Sequence, residues 1–466
     1  MVSTAKSAVP KGIKWVSLQF TDINGRLREV SISAPEFNPD GIEKGFPKLD
    51  GSSIDGFAEI HESDMVLSPV TKTLRRVPWD EKSMLVINKL YKKSGEGRFE
   101  KDPRLVAERT EEELAKNGFS AFIAPEIEFF IFDKVDIDAA LPQAGIGYKL
   151  YSEEAPWSNS AQAINYKKGY YPVTPMDKTA EVRRSIAEIL SDSFGMQIEA
   201  VHHEVATAGQ AEINFRYSTL LDTSDKVQMF KYVARNVSAA HQKIATFMPK
   251  PMFGDNGSGM HTNISLWNKS KNKNLMYDQK DKYCELSQLG RYAVGGLLEH
   301  ARALSAIVSP TTNSYRRLVP GYEAPTYIAW SRSNRSIAAR IPTYHKGIPS
   351  TKRIEYRPPD PSANPYLAFS AVLMAALDGV KRKIEPGDPV DENVYHMTEK
   401  RKQELKIPQL PGSLIDALSA LKSDSEFLKP VFDARLLDAY IDLKQKEAER
   451  INSYPHPIEL STYFDL

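Results

Sequence analysis

The chain has 466 residues, 41% of them hydrophobic and 26% charged, which is typical of a globular protein of two or three domains. Its 61 basic and 60 acidic side chains leave a net charge of +1, which gives no support to a nucleic-acid-binding or membrane-surface function. A single cysteine, Cys284, excludes an intrachain disulfide and favours a reducing compartment. Residues 1–10 have no apolar segment of signal-peptide length, so we expect a cytoplasmic protein.

The first hundred residues predict a small, mostly β domain. Polar and apolar residues alternate from Lys14 to Ser33, and the Asn24-Gly25 pair between the two halves predicts a hairpin with a type I′ turn. Ser83 to Leu90 has the composition of a further strand. We place the end of this domain at residue 102.

Residues 103–466 predict a second, larger domain in which helices and short strands alternate. Helical spacing is found at residues 104–116, 180–194, 226–245, 283–308 and 364–382. The apolar run within the last of these is too short to span a bilayer and indicates a buried helix. Charged helices are expected over residues 413–453, followed by an extended tail from Pro455 to Leu466. The predicted fold class is therefore α+β.

Four predicted strands carry charged or polar residues on one face and apolar residues on the other. Since side chains alternate along a strand, residues two apart point the same way. The residues sharing a face are Glu126 and Glu128; Glu212, Asn214 and Arg216; His261, Asn263 and Ser265; and Arg353, Glu355 and Arg357. His202, His203 and Glu204 form a further cluster just before the second strand.

For any one of these strands, a solvated face of an antiparallel sheet is the simpler interpretation. Four together favour a charged channel, because crowded glutamates need cations to neutralise them. If they converge, the sequence supplies five carboxylates and one imidazole: Glu126, Glu128, Glu204, Glu212, His261 and Glu355. An oxygen-rich set of this size suits two magnesium or manganese ions, and the nearby arginines suit phosphate and carboxylate groups.

Three loops add weaker signals. Residues 253–259 are glycine-rich, residues 320–325 place Glu323 between prolines, and residues 49–53 predict a turn around Asp50. Each loop taken alone indicates no more than an ordinary surface turn.

Several longer motifs resemble the type I glutamine synthetases of bacteria and archaea. They are Pro125–Phe130, His203–Gln210, Lys250–Phe253 with Gly257–His261, Pro310–Pro325, Asn334–Ser336, Arg353–Pro365 and Asp50–Ile54. The resemblance implies a β-grasp domain, a catalytic domain with a curved antiparallel sheet flanked by helices, and a dodecamer of two hexameric rings. In that family adjacent subunits share each active site, so Asp50 would serve a neighbour.

The resemblance also implies a role for each matching residue. The first metal would be held by Glu128, Glu204 and Glu212, and the second by Glu126, His261 and Glu355. Glutamate would be held by Arg317, Arg357 and the Asn256-Gly257 backbone, and the nucleotide by Glu199, Ser265, Arg335, Arg340 and Arg353. The ammonium pocket would comprise Asp50, Ser53, Tyr170, Glu204 and Glu323. The catalytic residues would be Asp50, which acts as a base, Glu323, which closes over the acyl phosphate, and Arg335, which stabilises the transferring phosphoryl group.

Two positions depart from the family pattern at the nucleotide site. Asn263 replaces a common histidine, and Ser350 replaces a lysine in a loop that is longer here, which leaves Lys352 as the candidate substitute. The implied reaction joins ammonia to the γ-carboxylate of glutamate with ATP, through γ-glutamyl phosphate. The alternatives are a γ-glutamyl-amine ligase of the same superfamily and a catalytically silent structural homologue.

The resemblance also bears on regulation. Tyr395 aligns with a tyrosine that receives AMP in bacterial relatives, but Lys400, Arg401 and Lys402 follow it where an acidic, proline-containing loop is expected. We therefore predict that Tyr395 is an unmodified tyrosine of a surface loop.

Overall fold

A computed structural model of the chain describes residues 9–39, 48–93, 97–392, 394–405 and 407–465. Its strands are β1 (Trp15–Thr21), β2 (Leu27–Ser33), β3 (Lys48–Asp50), β4 (Asp64–Pro69), β5 (Arg75–Val77), β6 (Asp80–Tyr91), β7 (Phe119–Phe132), β8 (Lys134–Asp138), β9 (Gly147–Tyr151), β10 (Ile198–His203), β11 (Gln210–Phe215), β12 (Ser218–Thr219), β13 (Ile244–Thr246), β14 (Met260–Asn268), β15 (Lys273–Asn274), β16 (Tyr327–Ser331), β17 (Ile337–Arg340) and β18 (Ile354–Tyr356). Its α-helices are α1 (Pro103–Lys116), α2 (Ala180–Phe194), α3 (Leu220–Ala240), α4 (Gln288–Glu299), α5 (Ala301–Val308), α6 (Ser314–Arg317), α7 (Pro365–Arg382), α8 (Glu399–Glu404), α9 (Leu414–Ser423), α10 (Ala434–Asn452) and α11 (Pro457–Tyr463).

The N-terminal residues form a mixed sheet in the order β2-β1-β6-β4-β3, with β5 paired to β6. The hairpin of β1 and β2 is confirmed, with Trp15 opposite Ser33 and Thr21 opposite Leu27. The predicted type I′ turn is wrong. The connection is wider, because Asp22 and Arg26 close it through backbone and side-chain hydrogen bonds and only Gly25 has a positive φ, of 83°.

This hairpin turn holds the small sheet against the larger domain. The Asn364 side chain donates to the carbonyl oxygens of Asp22 (3.0 Å) and Ile23 (3.1 Å), and its oxygen caps α7 by accepting from the Tyr366 backbone. A Cβ at Gly25 would lie 2.8 Å from the Asn364 Cα, so the close approach requires glycine there.

The larger domain is built on a ten-stranded sheet whose main order is β10-β11-β7-β14-β18-β17-β16. β7 is the central strand and pairs antiparallel with both β11 and β14. The register sets Glu212 opposite Glu128, Glu126 opposite His261 and Asn263 opposite Glu355. The four patterned segments therefore lie side by side, with their polar faces on the same side of the sheet.

The apolar faces of the same strands pack into the core. Ile127 and Phe129 are fully buried, and Phe129 stacks on Phe247 and meets Phe230 of α3 edge-on. The apolar run from 366 to 377 is buried in α7, as predicted. No helix in the described ranges is both long enough and apolar enough to cross a bilayer.

Three predicted elements differ from the structure. The helix expected over 226–245 is α3, which starts earlier and ends at Ala240, because β13 pairs with β7 where the last predicted turn would lie. The helix expected over 283–308 is two helices that meet at His300. The tail was predicted to be extended, but α11 forms there, since His456 and Glu459 cap its first turn reciprocally.

Candidate active site

The polar faces of the strands line a cavity of about 260 Å³. All six predicted metal ligands line it, together with nine of the predicted substrate or nucleotide residues: Tyr170, Asn256, Gly257, Arg317, Glu323, Arg335, Arg340, Arg353 and Arg357. The strand alternation thus brings together groups that lie more than two hundred residues apart in the chain.

Two groups of side chains have ligand atoms close enough to share a metal ion. One group is Glu126, His261 and Glu355, the predicted second set; Nδ1 of His261 lies 3.3 Å from Oε2 of Glu126. The other group is His202, Glu204 and Glu212. Its imidazole nitrogens lie 3.4 Å from Oε1 of Glu204 and 3.6 Å from Oε1 of Glu212.

Glu128, the third predicted ligand of the first set, lies between the two groups. Its Oε2 accepts from the Gly259 backbone at 2.9 Å and from Nε2 of Gln210 at 3.2 Å, while its Oε1 lies 3.9 Å from Nδ1 of His261. These donors fix the carboxylate in place, and one oxygen faces the cavity region between the groups.

The protein alone does not supply enough positive charge for these acids. Burial raises the pKa of Glu128 to about 8, with a further contribution from the Glu212 carboxylate. Burial and the carboxylates of Glu128 and Glu212 raise the pKa of Glu204 to about 9. Burial, with Arg357 nearby, lowers the pKa of His261 well below its usual range. Neutral imidazole and carboxylates that need a counter-charge are the donor set that a divalent cation fits.

Glu355 is held differently from the predicted arrangement. Its two oxygens accept hydrogen bonds from Arg340 and Arg357, and its side chain is 1% exposed. Arg353, predicted to flank it, instead donates from Nε to Oδ1 of Asn263 at 2.9 Å. Arg340 takes this place because β17 pairs with β18 and sets Arg340 opposite Glu355.

The glycine-rich loop packs against a buried arginine. Arg317 is 2% exposed and donates to the carbonyl oxygens of Pro358 (2.8 Å) and Arg357 (3.2 Å). A Cβ at Gly259 would lie 2.7 Å from Nη2 of Arg317 and 2.8 Å from Nε2 of His261. Only glycine lets the loop backbone approach both the arginine and the metal-ligand candidate.

Exposed loops form the opposite side of the cavity. Glu323 is exposed and has a positive φ of 56°, an unusual conformation for a residue other than glycine. Tyr170 stacks on Tyr171, with ring centroids 4.0 Å apart, and is about half exposed. Arg335 is also exposed, and its nearest described side-chain partner is the hydroxyl of Tyr344, at 3.4 Å.

Tyr395 is not the ordinary surface tyrosine that the sequence predicts. It is partly buried among Tyr327, Val390 and Met397, and its hydroxyl donates to the backbone carbonyl of Ala324, next to Glu323. Burial, opposed by nearby arginines, raises its pKa to about 12. The absence of modification stays a prediction.

Six predicted site residues do not line the cavity in the part of the chain that the structure describes: Asp50, Ser53, Glu199, Asn263, Ser265 and Lys352. Asn263 lies directly behind the lining, where it donates to Oε1 of Glu126 at 3.0 Å. Lys352 is buried and its ammonium donates to the Cys284 carbonyl at 2.6 Å, so its nucleotide contact stays a prediction. Ser265 accepts from the Trp267 indole at 2.9 Å, and Glu199 is exposed.

Asp50 and Ser53 lie on the surface of the N-terminal domain. The Asp50 carboxylate accepts from the backbone and hydroxyl of Ser52 (2.9 and 2.6 Å) and from the hydroxyl of Ser53 (2.9 Å). These hydrogen bonds, chiefly from the Ser52 hydroxyl, lower the pKa of Asp50. The carboxylate is therefore held ionised at neutral pH and exposed to solvent.

Nine lining residues lie outside the predicted set, among them His202, Gln210 and Tyr344. His202 could have been found, since it lies opposite Glu212 in the register and shares its face. Gln210 follows from the structure alone, because it bridges Glu128 and the Gly257 carbonyl. Tyr344 lies in a loop without periodicity, so no pattern indicated it.

Carboxylates, imidazoles and arginines around one cavity define a metal-dependent enzyme that handles anionic substrates. Residues 12–93 match the family model described as "Glutamine synthetase, beta-Grasp domain", and residues 100–463 match "Glutamine synthetase, catalytic domain". The chain belongs to the glutamine synthetase family. Members of this family need ATP and divalent metal ions.

Relatives and solved structures support this assignment over nearly the whole chain. The chain is 60% identical to the glutamine synthetase of Sulfolobus acidocaldarius, covering 97% of this chain and 96% of that protein. It is 43% identical to the enzyme of Salmonella typhimurium, covering 97% of each. The fold is similar to the cryo-EM structure of Plasmodium falciparum glutamine synthetase, with a TM-score of 0.87, 27% identity and coverage of 98% and 97%. The predicted α+β fold with a β-grasp domain is confirmed.

Proposed function

We propose that the chain is a glutamate–ammonia ligase, which forms glutamine, ADP and phosphate from glutamate, ammonia and ATP. The observation that carries this proposal is one cavity lined by six metal-ligand candidates and by five arginines of the proposed substrate sites, in a chain of this family. The domain boundary belongs to the same proposal. We place it between residues 102 and 103, where Asp102 caps α1, the first helix of the catalytic domain.

The raised pKa values of Glu128 and Glu204 fit two divalent ions. Glu126, His261 and Glu355 would hold one ion; Glu128, Glu204 and Glu212, with His202 beside them, would hold the other. The oxygen-rich donor set favours magnesium or manganese over zinc. When bound, such ions neutralise phosphate oxygens during phosphoryl transfer.

The arginines of the cavity support separate sites for the two substrates. Arg317 and Arg357, beside the Asn256-Gly257 backbone, would hold the glutamate carboxylates, since planar guanidinium groups bind carboxylates in bidentate fashion. Arg340 and Arg353 would face the nucleotide phosphates, with Glu199 and Ser265 further out. We place Asn263 in a supporting position, because it orients both Glu126 and Arg353.

A carboxylate does not react with ammonium directly, because hydroxide is a poor leaving group and ammonium has no free electron pair. Transfer of the γ-phosphoryl group of ATP to the side chain of glutamate would give γ-glutamyl phosphate, with Arg335 stabilising the transferring group. Glu323, on its exposed loop, would then close over the acyl phosphate and exclude water. A carboxylate of the ammonium site would first take a proton from bound ammonium. The ammonia so formed would attack the acyl carbon and displace phosphate, and Glu323 would take the second proton.

Asp50 and Ser53 would complete the ammonium site of a neighbouring subunit. Both are exposed on the N-terminal domain, with Asp50 ionised and turned to solvent. A lowered pKa makes Asp50 a weak base, so its stronger contribution would be to hold the cation, together with Tyr170, Glu204 and Glu323. A site shared between subunits needs an assembly, and we propose the dodecamer of two hexameric rings, since Asp50 does not line its own chain's cavity among the described residues.

The C-terminal helix supports an assembly as well. α11 exposes Ile458, Leu460 and Tyr463, and Phe464 directly after it is exposed as well, an apolar set that is costly to leave in water. We propose that it docks on a subunit of the opposite ring. A cytoplasmic location is part of the proposal, since the one cysteine is buried and its thiol pKa is raised by burial to about 12, as suits an unreactive thiol.

The direct test is phosphate release from ATP with glutamate, comparing ammonium with methylamine and ethylamine as acceptors. We expect release that depends on glutamate, a divalent ion and ammonium, with much weaker use of the alkylamines. Preference for an alkylamine would instead identify a γ-glutamyl-amine ligase. Absence of release with every acceptor would identify a silent homologue.

A further inference from the structure

Tyr344 occupies a special place in the cavity wall. Its hydroxyl lies between two arginines: Nη2 of Arg340 donates to it at 2.7 Å, and Nη2 of Arg335 lies 3.4 Å away on the other side. The Arg340 guanidinium carbon also lies 5.2 Å from the centre of the tyrosine ring. A phenol oxygen can accept from two donors, so one side chain connects both cations.

These contacts continue a chain of polar groups that begins in the buried sheet. Glu355 accepts from Arg340, Arg340 donates to Tyr344, and Tyr344 faces Arg335. Arg340 is 8% exposed and held at both ends, whereas Arg335 is exposed on the loop side. Tyr344 therefore links the exposed Arg335 to the buried part of the site and limits where the Arg335 guanidinium can lie.

We infer that Tyr344 is a positioning residue that holds Arg335 and Arg340 in place for the terminal phosphates of ATP. This inference rests on the proposed function and deepens it. Two like charges near one another repel, and a shared acceptor offsets that repulsion while setting their separation. A long arginine side chain left free loses rotamer entropy each time it must order at the phosphoryl group. The residue belongs to this chain's longer loop, between Pro342 and Ser350.

Tyr344→Phe removes only the hydroxyl and keeps the ring. We expect kcat for ammonium-dependent phosphate release to fall about tenfold, the effect of losing a hydrogen bond to a charged group. The KM for ATP should change less than about threefold, and the Kd of ADP should not change, because ADP lacks the terminal phosphate. A purely structural role would weaken ADP binding and lower the melting temperature as well.

Tyr148→Phe is the matched control, because Tyr148 is similarly exposed (62% against 65%) and lies on the β8–β9 hairpin, outside the cavity lining. Its kinetics should equal those of the parent. In an Arg335→Lys background, Tyr344→Phe should lower kcat much less than it does in the parent, since the two residues act as one unit.

The outcomes separate the inference from the proposed function. An active parent whose Tyr344→Phe variant keeps the parental kcat overturns the inference alone, as does an equal loss in the presence and absence of Arg335→Lys. A parent without glutamate-dependent phosphate release overturns the proposed function and the inference with it. A tenfold loss in kcat with unchanged ADP binding supports both.

Discussion

The two sides of the cavity are built in different ways. The sheet side carries Glu128, Glu212, His261 and Glu355, each less than a tenth exposed and fixed by cross-strand neighbours. The loop side carries Glu323, Arg335 and Tyr344, all exposed. Charges that must stay together without solvent require a rigid sheet, whereas groups that close over substrates require loops. The predictions below separate these two kinds of contribution.

The largest effect is expected from the sheet side, at Glu355. Glu355→Ala should abolish phosphate release, by about a thousandfold or more, because one metal site loses a ligand. It should also destabilise the fold by about 3–5 kcal/mol, since Arg340 and Arg357 would face each other without their shared partner. Glu355→Gln is the control, because it keeps an acceptor for one arginine. Near-parental activity of Glu355→Ala at saturating metal would refute the two-metal assignment.

The acid cluster predicts a strong pH dependence of metal affinity. Burial and repulsion between neighbouring carboxylates raise the pKa values of Glu128 and Glu204, so the acid cluster holds protons near neutral pH without metal, and the ion must displace them. Affinity should therefore rise with pH and level off above pH 9. Metal affinity should rise by up to about tenfold per pH unit for each displaced proton. Titration of Mn²⁺ at pH 6, 7, 8 and 9 measures this, and a flat profile would contradict it.

Asp50 tests the proposed contribution of a neighbouring subunit to the ammonium site. Asp50→Ala should raise the KM for ammonium about tenfold or more, while the Kd of ATP stays near the parental value, since its proposed partner is ammonium and not the nucleotide. Asp55→Ala, at an exposed acid of the same domain, provides the control. A large rise in the Kd of ATP with an unchanged response to ammonium would argue against the proposed role.

The smallest effect is expected far from the cavity, at His300, between α4 and α5. Burial alone would lower its pKa, but hydrogen bonds to Asp424 and Asp378 outweigh burial and raise it. Because folding raises the pKa of His300, its protonated form stabilises the folded state. This stabilisation is fully present below the unfolded pKa of about 6.5 and is lost as pH rises through the folded pKa. His300→Gln should therefore lower the melting temperature at pH 6 by more than at pH 9. An equal decrease in melting temperature at both pH values would contradict stabilisation by the ion pairs of His300.

Strand alternation was sufficient to predict the sheet side, because a period of two fixes which residues share a face. The same rule places Lys352, which alternates with Arg353, on the buried face. It could not supply the partner of Glu355, because Arg340 enters through the pairing of β17 with β18, which no local pattern specifies. Tyr344 lies on a loop, where side-chain direction depends on tertiary contacts alone.

The direct test of the central claim, that the buried carboxylates form two cation sites independent of the loops, is the stoichiometry of Mn²⁺ binding at pH 8. We predict two ions per chain in the parent and in Tyr344→Phe, and one high-affinity ion fewer in Glu212→Gln. A single ion or none in the parent, or loss of an ion in the loop variant, would contradict the account.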